Sequence, residues 1–118
     1  MLDDVVVGSV MIDCNDLERV VGFWKEILGL EEKMRFPGYV FLGRVSPKGP
    51  RLAFQQVPEP KTGKNRVHLD LGAEDPAALV ARAIGLGASR LADHEMPGIR
   101  WTVMADPEGN EFCVAPAG

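Results

Sequence analysis

The side chains in this sequence that can do chemistry are few, and two of them stand together. His68 and Asp70 fall in Val67-His68-Leu69-Asp70-Leu71, where apolar and polar residues alternate. A strand sends alternate side chains to one face, so the imidazole and the carboxylate share a face opposite Val67, Leu69 and Leu71. On that face Asp70 can orient the imidazole or take a cationic or hydroxyl group. A hydrogen-bonded wall histidine beside a solvated carboxylate is the competing reading. Trp101 follows Arg100 near the end of a late strand-like run, outside any helical stripe. It can stack on a planar ligand, or serve the core or a dimer contact. Cys113 lies in the apolar run Glu111 to Val114, where a cysteine usually acts as a small buried hydrophobe. Gln55, in Arg51-Leu52-Ala53-Phe54-Gln55-Gln56-Val57, gains meaning only if it points away from a core. Met11 and Met104 suit adaptable apolar walls, and Trp24 belongs to a core. No Gly-rich phosphate loop, Cys-x-x-Cys or His-Glu-x-x-His is present. Nothing makes Ser9 a nucleophile for His68.

These residues need elements to position them. Val5 to Ile12 is rich in β-branched residues and reads as a strand. Asn15 or Asp16 then caps a helix, with Glu18 placed to close a capping box on Asn15. Leu17, Val20, Val21, Trp24, Ile27 and Leu28 form its apolar stripe, and Gly29 is its stop. Glu31 to Phe36, Tyr39 to Leu42 and Arg51 to Val57 read as strands, the last two split by the turn Ser46-Pro47-Lys48-Gly49-Pro50. Residues 58–65 carry two prolines and a glycine and read as a linker. The order then repeats: strand Val67 to Leu71, helix from Asp75-Pro76 to Gly87, strands Arg100 to Ala105 and Glu111 to Val114 around the turn Asp106-Pro107-Glu108-Gly109-Asn110.

The repetition survives alignment. An offset of 59 residues carries Ser9 onto His68, Ile12 onto Leu71, Asp16 onto Asp75 and Val21 onto Val80. An offset of 58 pairs Leu28-Gly29 with Leu86-Gly87 and Phe54-Gln55 with Phe112-Cys113. The chain is therefore expected to be α+β, one domain over 1–118 with module one at about 5–57 and module two at about 66–115.

The ordered set Asp16-Leu17, Phe23-Trp24 to Leu30, His68 to Leu71, Leu86-Gly87-Ala88 and Asp106 to Phe112 resembles the glyoxalase / bleomycin-resistance / extradiol-dioxygenase superfamily, also called vicinal-oxygen-chelate proteins. The resemblance covers nearly the whole chain and is closest to small glyoxalase-like domain proteins. It implies two tandem βαβββ modules whose mixed sheets form an open cup-shaped barrel with helices outside, often completed by a homodimer. It further implies that metal-dependent members draw ligands from the first and last strand of each module, at Ser9, Gln55, His68 and Cys113. Such members present His, Glu or Gln there, whereas this set is Ser, Gln, His, Cys. One strong ligand and one thiol remain, short of what an octahedral oxygen–nitrogen site requires. The expectation is a small-molecule-binding protein without a resident metal or other cofactor, its ligand held by Ser9, Gln55, His68, Asp70, Trp101 and Cys113. The alternative is a lyase, isomerase or dioxygenase using a divalent metal on His68 with atypical partners.

Charge and composition bound the partners. Thirteen basic against 17 acidic residues give a net charge of −4, which offers no basic surface to nucleic acid or an acidic membrane. No apolar run approaches the roughly 20 residues of a membrane span, and Met1-Leu2-Asp3-Asp4 lacks the positive start of a secretory signal. Two cysteines are too few for a disulfide framework, so a cytoplasmic location with reduced thiols is expected.

Overall fold

The computed structural model describes residues 4–117; Met1 to Asp3, on which the leader reading mostly rests, lie outside the described residues. The chain divides into two compact units at Pro60/Lys61, inside the segment expected as a linker. Each unit is a βαβββ module with one mixed four-stranded sheet and one helix.

The first module runs β1 (Ser9–Cys14), α1 (Leu17–Leu28), β2 (Glu32–Phe36), β3 (Tyr39–Arg44), β4 (Arg51–Gln56). Its sheet order is β1-β4-β3-β2; β1 lies parallel to β4, and the other pairs are antiparallel. Asp16 is the N-cap of α1, accepting from the Arg19 N–H at 3.2 Å. The expected capping box does not form. Glu18 instead pairs with Arg35 on β2, and Asn15 reaches past the helix to donate to the carbonyls of Val57 and Glu59, both at 2.9 Å. Gln56, whose neighbour Gln55 takes the other face, uses its Oε1 to accept from the Leu17 N–H at 3.4 Å. That serves one of the donors a helix start leaves without an intrahelical partner. Gly29 ends the helix at φ +63°, where a side chain would be strained. The apolar stripe of α1 buries Val20, Val21 and Trp24, and the sheet answers with Val40, Leu42, Leu52 and Phe54.

The second module runs β5 (Leu69–Ala73), α2 (Pro76–Gly85), β6 (Ser89–Met96), β7 (Ile99–Ala105), β8 (Glu111–Pro116), in the order β5-β8-β7-β6. Asp75 caps α2 by accepting from the Ala78 N–H at 3.1 Å, with Pro76 at the start of the helix as expected. Several boundaries differ from the sequence reading. In the first module β1 is Ser9–Cys14 rather than Val5 to Ile12, since Val5, Val6 and Val7 are exposed and stay outside the ladder; in the second, β7 starts at Ile99 and β8 runs to Pro116. β5 begins at Leu69 rather than Val67, which leaves His68 just ahead of the ladder. α2 stops at Gly85, two residues before the left-handed Gly87. β6 occupies a stretch with no element predicted for it, because Ser89-Arg90-Leu91-Ala92-Asp93-His94-Glu95-Met96 has no clean apolar alternation. It is an edge strand with exposed side chains along nearly its whole length, so there is little burial to impose a pattern on it.

The strand registers also correct the internal alignment. Met11 stands opposite Ala53 in β1–β4, and Asp70 opposite Cys113 in β5–β8. With the first strands related by 59 residues, the last strands are related by 60. The same relation appears where the chain leaves each sheet: Val57 donates to the Cys14 carbonyl, and Ala117 to that of Ala73. Hence Cys113 is the counterpart of Ala53, and Gln55 is the counterpart of Ala115.

Candidate functional site

Within the second module, side chains of successive cross-strand rows share one face of the sheet. One row is Ala92, Val103, Cys113 and Asp70. The next, toward the β6–β7 turn, holds His94 and Trp101 with Ala115. Thr102, Met104, Phe112 and Val114 point to the opposite face, and of these Met104, Phe112 and Val114 are fully buried.

Three of the expected site residues meet on the first face. His68 Nε2 lies 3.2 Å from Asp70 Oδ1, with side chains 46% and 75% exposed. Cys113 completes a group in which one ligand atom from each residue lies within 4.8 Å of the others. The thiol itself is buried. Burial first, then the charge and hydrogen bonding of Asp70, push its pKa above the ordinary cysteine value. Cys113 therefore sits as a neutral thiol beside Asp70, which is the opposite of an activated nucleophile. Nearby, Glu111 is occupied by Lys64 at 2.8 Å and Lys61 at 3.8 Å, and the Lys64 hydrogen bond holds its carboxyl below the usual glutamate value. With Glu111 matched in this way, Asp70 is the carboxylate this face presents beside an imidazole and a thiol.

Trp101 is partly exposed and forms a stacked pair with His94, ring centroids 5.3 Å apart and planes 27° from parallel. The sequence reading found Trp101 but missed His94. The signal lay in the β6–β7 register, which sets the two rings side by side only once the hairpin at 97–98 is placed.

Ser9 and Gln55 do not join a comparable group in the first module. Ser9 stands opposite Arg51 and Gln55 opposite Asp13, at two ends of the strand pair, about 13 Å apart at roughly 3.3 Å per residue. The positions equivalent to His68, Asp70 and Cys113 are Ser9, Met11 and Ala53, which offer one hydroxyl between them. The donor set that the resemblance implied for this module thus changes: Ala53, not Gln55, matches Cys113.

A cavity of about 680 Å³ lies between α2 and β6–β8. Val80, Ala81 and Ile84 of the helix form one wall, and Asp93, Arg100 and Thr102 of the sheet another. Asp93 is satisfied from within the sheet, by both Arg90 contacts (2.9 and 2.8 Å) and the Thr102 hydroxyl (2.8 Å). These hydrogen bonds, Thr102 first, lower its pKa. In the first module Arg35 holds the matching strand position and ties β2 to the helix through Glu18. His94 and Trp101 also line this cavity, whereas His68, Asp70 and Cys113 do not.

Two βαβββ modules, each with the sheet order 1-4-3-2 and one strand pair parallel, define the vicinal-oxygen-chelate class of fold. The sequence profile of the glyoxalase-like domain matches residues 9–115, so the chain belongs to the glyoxalase-like domain family. Solved structures agree at the level of fold. A glyoxalase/bleomycin resistance protein/dioxygenase family enzyme from Burkholderia phytofirmans PsJN aligns over 97% of this chain and 100% of its own, with TM-score 0.78 and 21% identity. A glyoxalase/bleomycin resistance protein from Albidiferax ferrireducens T118 aligns over 94% and 98%, with TM-score 0.70 and 23% identity. A lactoylglutathione lyase from Agrobacterium tumefaciens aligns over 98% and 96%, with TM-score 0.69 and 20% identity. No curated protein sequence matches the chain. Among the described residues no helix is long and apolar enough to cross a membrane.

Proposed function

We propose that this protein binds a small organic molecule on the sheet face of its second module that carries His68, Asp70, Cys113 and Trp101. The observation that carries this reading is the convergence of His68, Asp70 and Cys113 within 4.8 Å, on the same face as the His94–Trp101 ring pair. Convergent polar groups beside an aromatic surface are the usual makings of a small-molecule site. A protonated thiol and a solvent-exposed imidazole argue for binding rather than covalent catalysis. We place the protein in the cytoplasm, without nucleic-acid or membrane partners, on the charge balance and the two free cysteines, and as a homodimer on its likeness to the glyoxalase-like family. The test is a thermal-shift screen of planar and glycopeptide-like compounds. Hits should vanish in His68→Ala; hits indifferent to both His68→Ala and Trp101→Ala would place the ligand elsewhere.

One observation favours a second reading. Nitrogen, oxygen and sulfur donors within 4.8 Å match the three protein ligands of an open site for a borderline-soft divalent ion such as zinc. His68 Nε2 would exchange its Asp70 contact for the ion, and Cys113 would give up its proton. The same set does not fit an ion that demands six hard oxygen or nitrogen ligands, since Ser9, Met11 and Ala53 are the first-module counterparts. A bound ion would act as Lewis acid. Metal analysis of purified protein, with thermal shifts in Zn, Ni, Mn and Fe(II), separates the readings. An ion at 100 times its Kd raises stability by about 2.7 kcal/mol, and a shift lost in both His68→Ala and Cys113→Ala would favour the metal reading.

A further inference from the structure

The face described above constrains what kind of molecule it suits. At one end is the stacked pair Trp101–His94; at the other is Asp70, its carboxylate 75% exposed. Between them β7 and β8 contribute Val103, Cys113 and Ala115 to this face, side chains too short to obstruct a flat object lying on the sheet. Ala117 packs on Gly72, with its Cα 3.4 Å from where a Cβ would stand, and so bounds this floor at β5. Trp101 and Asp70 are one row and two strands apart. That separation is about 12 Å between backbones, from ~6.6 Å along the strands and ~9.6 Å across them. The charges on this face are unequal. Glu111 is held by Lys64 and Lys61, whereas Asp70, among the described residues, is grouped with an imidazole and a neutral thiol.

Resting on the binding function proposed above, we infer that the ligand class is a planar aromatic amine: a ring system laid against Trp101 over Val103 and Ala115, carrying a protonated amine that Asp70 receives. An indole or similar bicycle with a two-carbon ammonium tail spans most of the gap once the side chains at both ends are counted. The ring provides the stacking that a tryptophan face offers. The ammonium donates to Asp70 Oδ, a charge-assisted hydrogen bond that needs no rearrangement of Cys113.

The experiment uses tryptamine as probe, with 3-ethylindole (ring without charge) and 2-cyclohexylethylamine (charge without ring) as matched controls. Titrations are followed by ¹H–¹⁵N chemical shifts of the full chain. Tryptamine is expected to shift residues 70, 101, 103 and 115, and to bind roughly tenfold more tightly than either control, as the loss of one stacking or one charge-assisted contact implies. Asp70→Asn should weaken tryptamine by a similar factor and leave 3-ethylindole unchanged. Trp101→Ala should weaken both indoles, and Trp101→Phe should restore part of the loss, which guards against a folding defect. No binding of tryptamine to the wild-type chain, or binding indifferent to Asp70→Asn, overturns the inferred class. The wider binding reading then stands or falls separately, on whether screen hits of other chemistry depend on His68.

Discussion

The turn between β7 and β8 determines whether Cys113 meets Asp70, and Asp106 organises that turn. Its side chain is 3% exposed. Oδ1 accepts from the backbone N–H groups of Glu108 (2.9 Å) and Asn110 (3.0 Å), and Oδ2 from the Asn110 side-chain amide (3.0 Å). Two backbone bonds close the same loop, Asp106 N–H to Asn110 carbonyl and Gly109 N–H to Asp106 carbonyl. Asp106→Ala removes three acceptor contacts of the carboxylate and strands two backbone donors. Hydrogen bonds to charged groups contribute about 1.5–3 kcal/mol each, and water reaching a part-buried turn recovers some of that. A loss near 3 kcal/mol is expected, a large share of the about 5–15 kcal/mol that holds a typical domain. Asp106→Asn keeps one acceptor oxygen but sets an amide N–H₂ against the Asn110 amide, so its cost should fall near half that value. Urea unfolding followed by far-UV circular dichroism gives both numbers. In parallel, amide shifts of residues 111–114 report whether the Ala105–Glu111 register persists. A loss below about 0.5 kcal/mol for Asp106→Ala, within the range of ordinary surface changes, would refute the idea that this carboxylate organises the turn. So would equal costs for the two variants.

Three other outcomes can be stated. Trp24→Ala, at a position 1% exposed in the first module's core, should cost about 3–5 kcal/mol; Trp101→Ala should cost less than about 1 kcal/mol, and comparable unfolding midpoints would contradict the assignment of core and surface tryptophans. Alkylation of Cys113 by iodoacetamide, resolved by peptide mass spectrometry, should begin only at a pH above the usual cysteine range, since burial and Asp70 both disfavour the thiolate. Asp70→Asn should move that profile to lower pH, and an unmoved profile would show that Asp70 does not act on the thiol. Glu111 has a depressed pKa in the folded chain through Lys64, so its contribution is present above the unfolded glutamate pKa and is lost as pH falls through the lower folded value. Stability measured across that acid range should therefore flatten in Glu111→Gln; an unchanged slope would mean the pair is screened by solvent.

Local sequence carried much of the architecture. Asp16 and Asp75 cap helices because a carboxylate one residue before an apolar stripe can accept the free N–H groups of the first turn. Gly29 stops α1 because the left-handed backbone there excludes side chains. These signals are set by neighbours a few residues away, and so they can be read in one dimension. The duplication was legible for the same reason, since caps and stripes recur at a constant spacing.

What depended on distant partners was misread or missed. Glu18 was placed for a capping box, but Arg35 on β2 claims it, an ion pair that exists only once helix and strand are side by side. β6 lacked a pattern because an exposed edge strand buries too little to need one. The last strands were aligned by the likeness of Phe54-Gln55 to Phe112-Cys113, while hydrogen-bonded register makes Ala53 the partner position of Cys113. The same alternation of strand residues that put His68 and Asp70 on one face could not say which residue of β8 would stand opposite them. Sequence alone determined the two modules, their helices and the His68–Asp70 pair, because each rests on short-range geometry. Only the tertiary structure decided that Cys113 stands opposite Asp70, that His94 backs Trp101, and that the described residues of the first module offer no matching cluster, because strand register is fixed by the packing of whole sheets and not by any residue's neighbours.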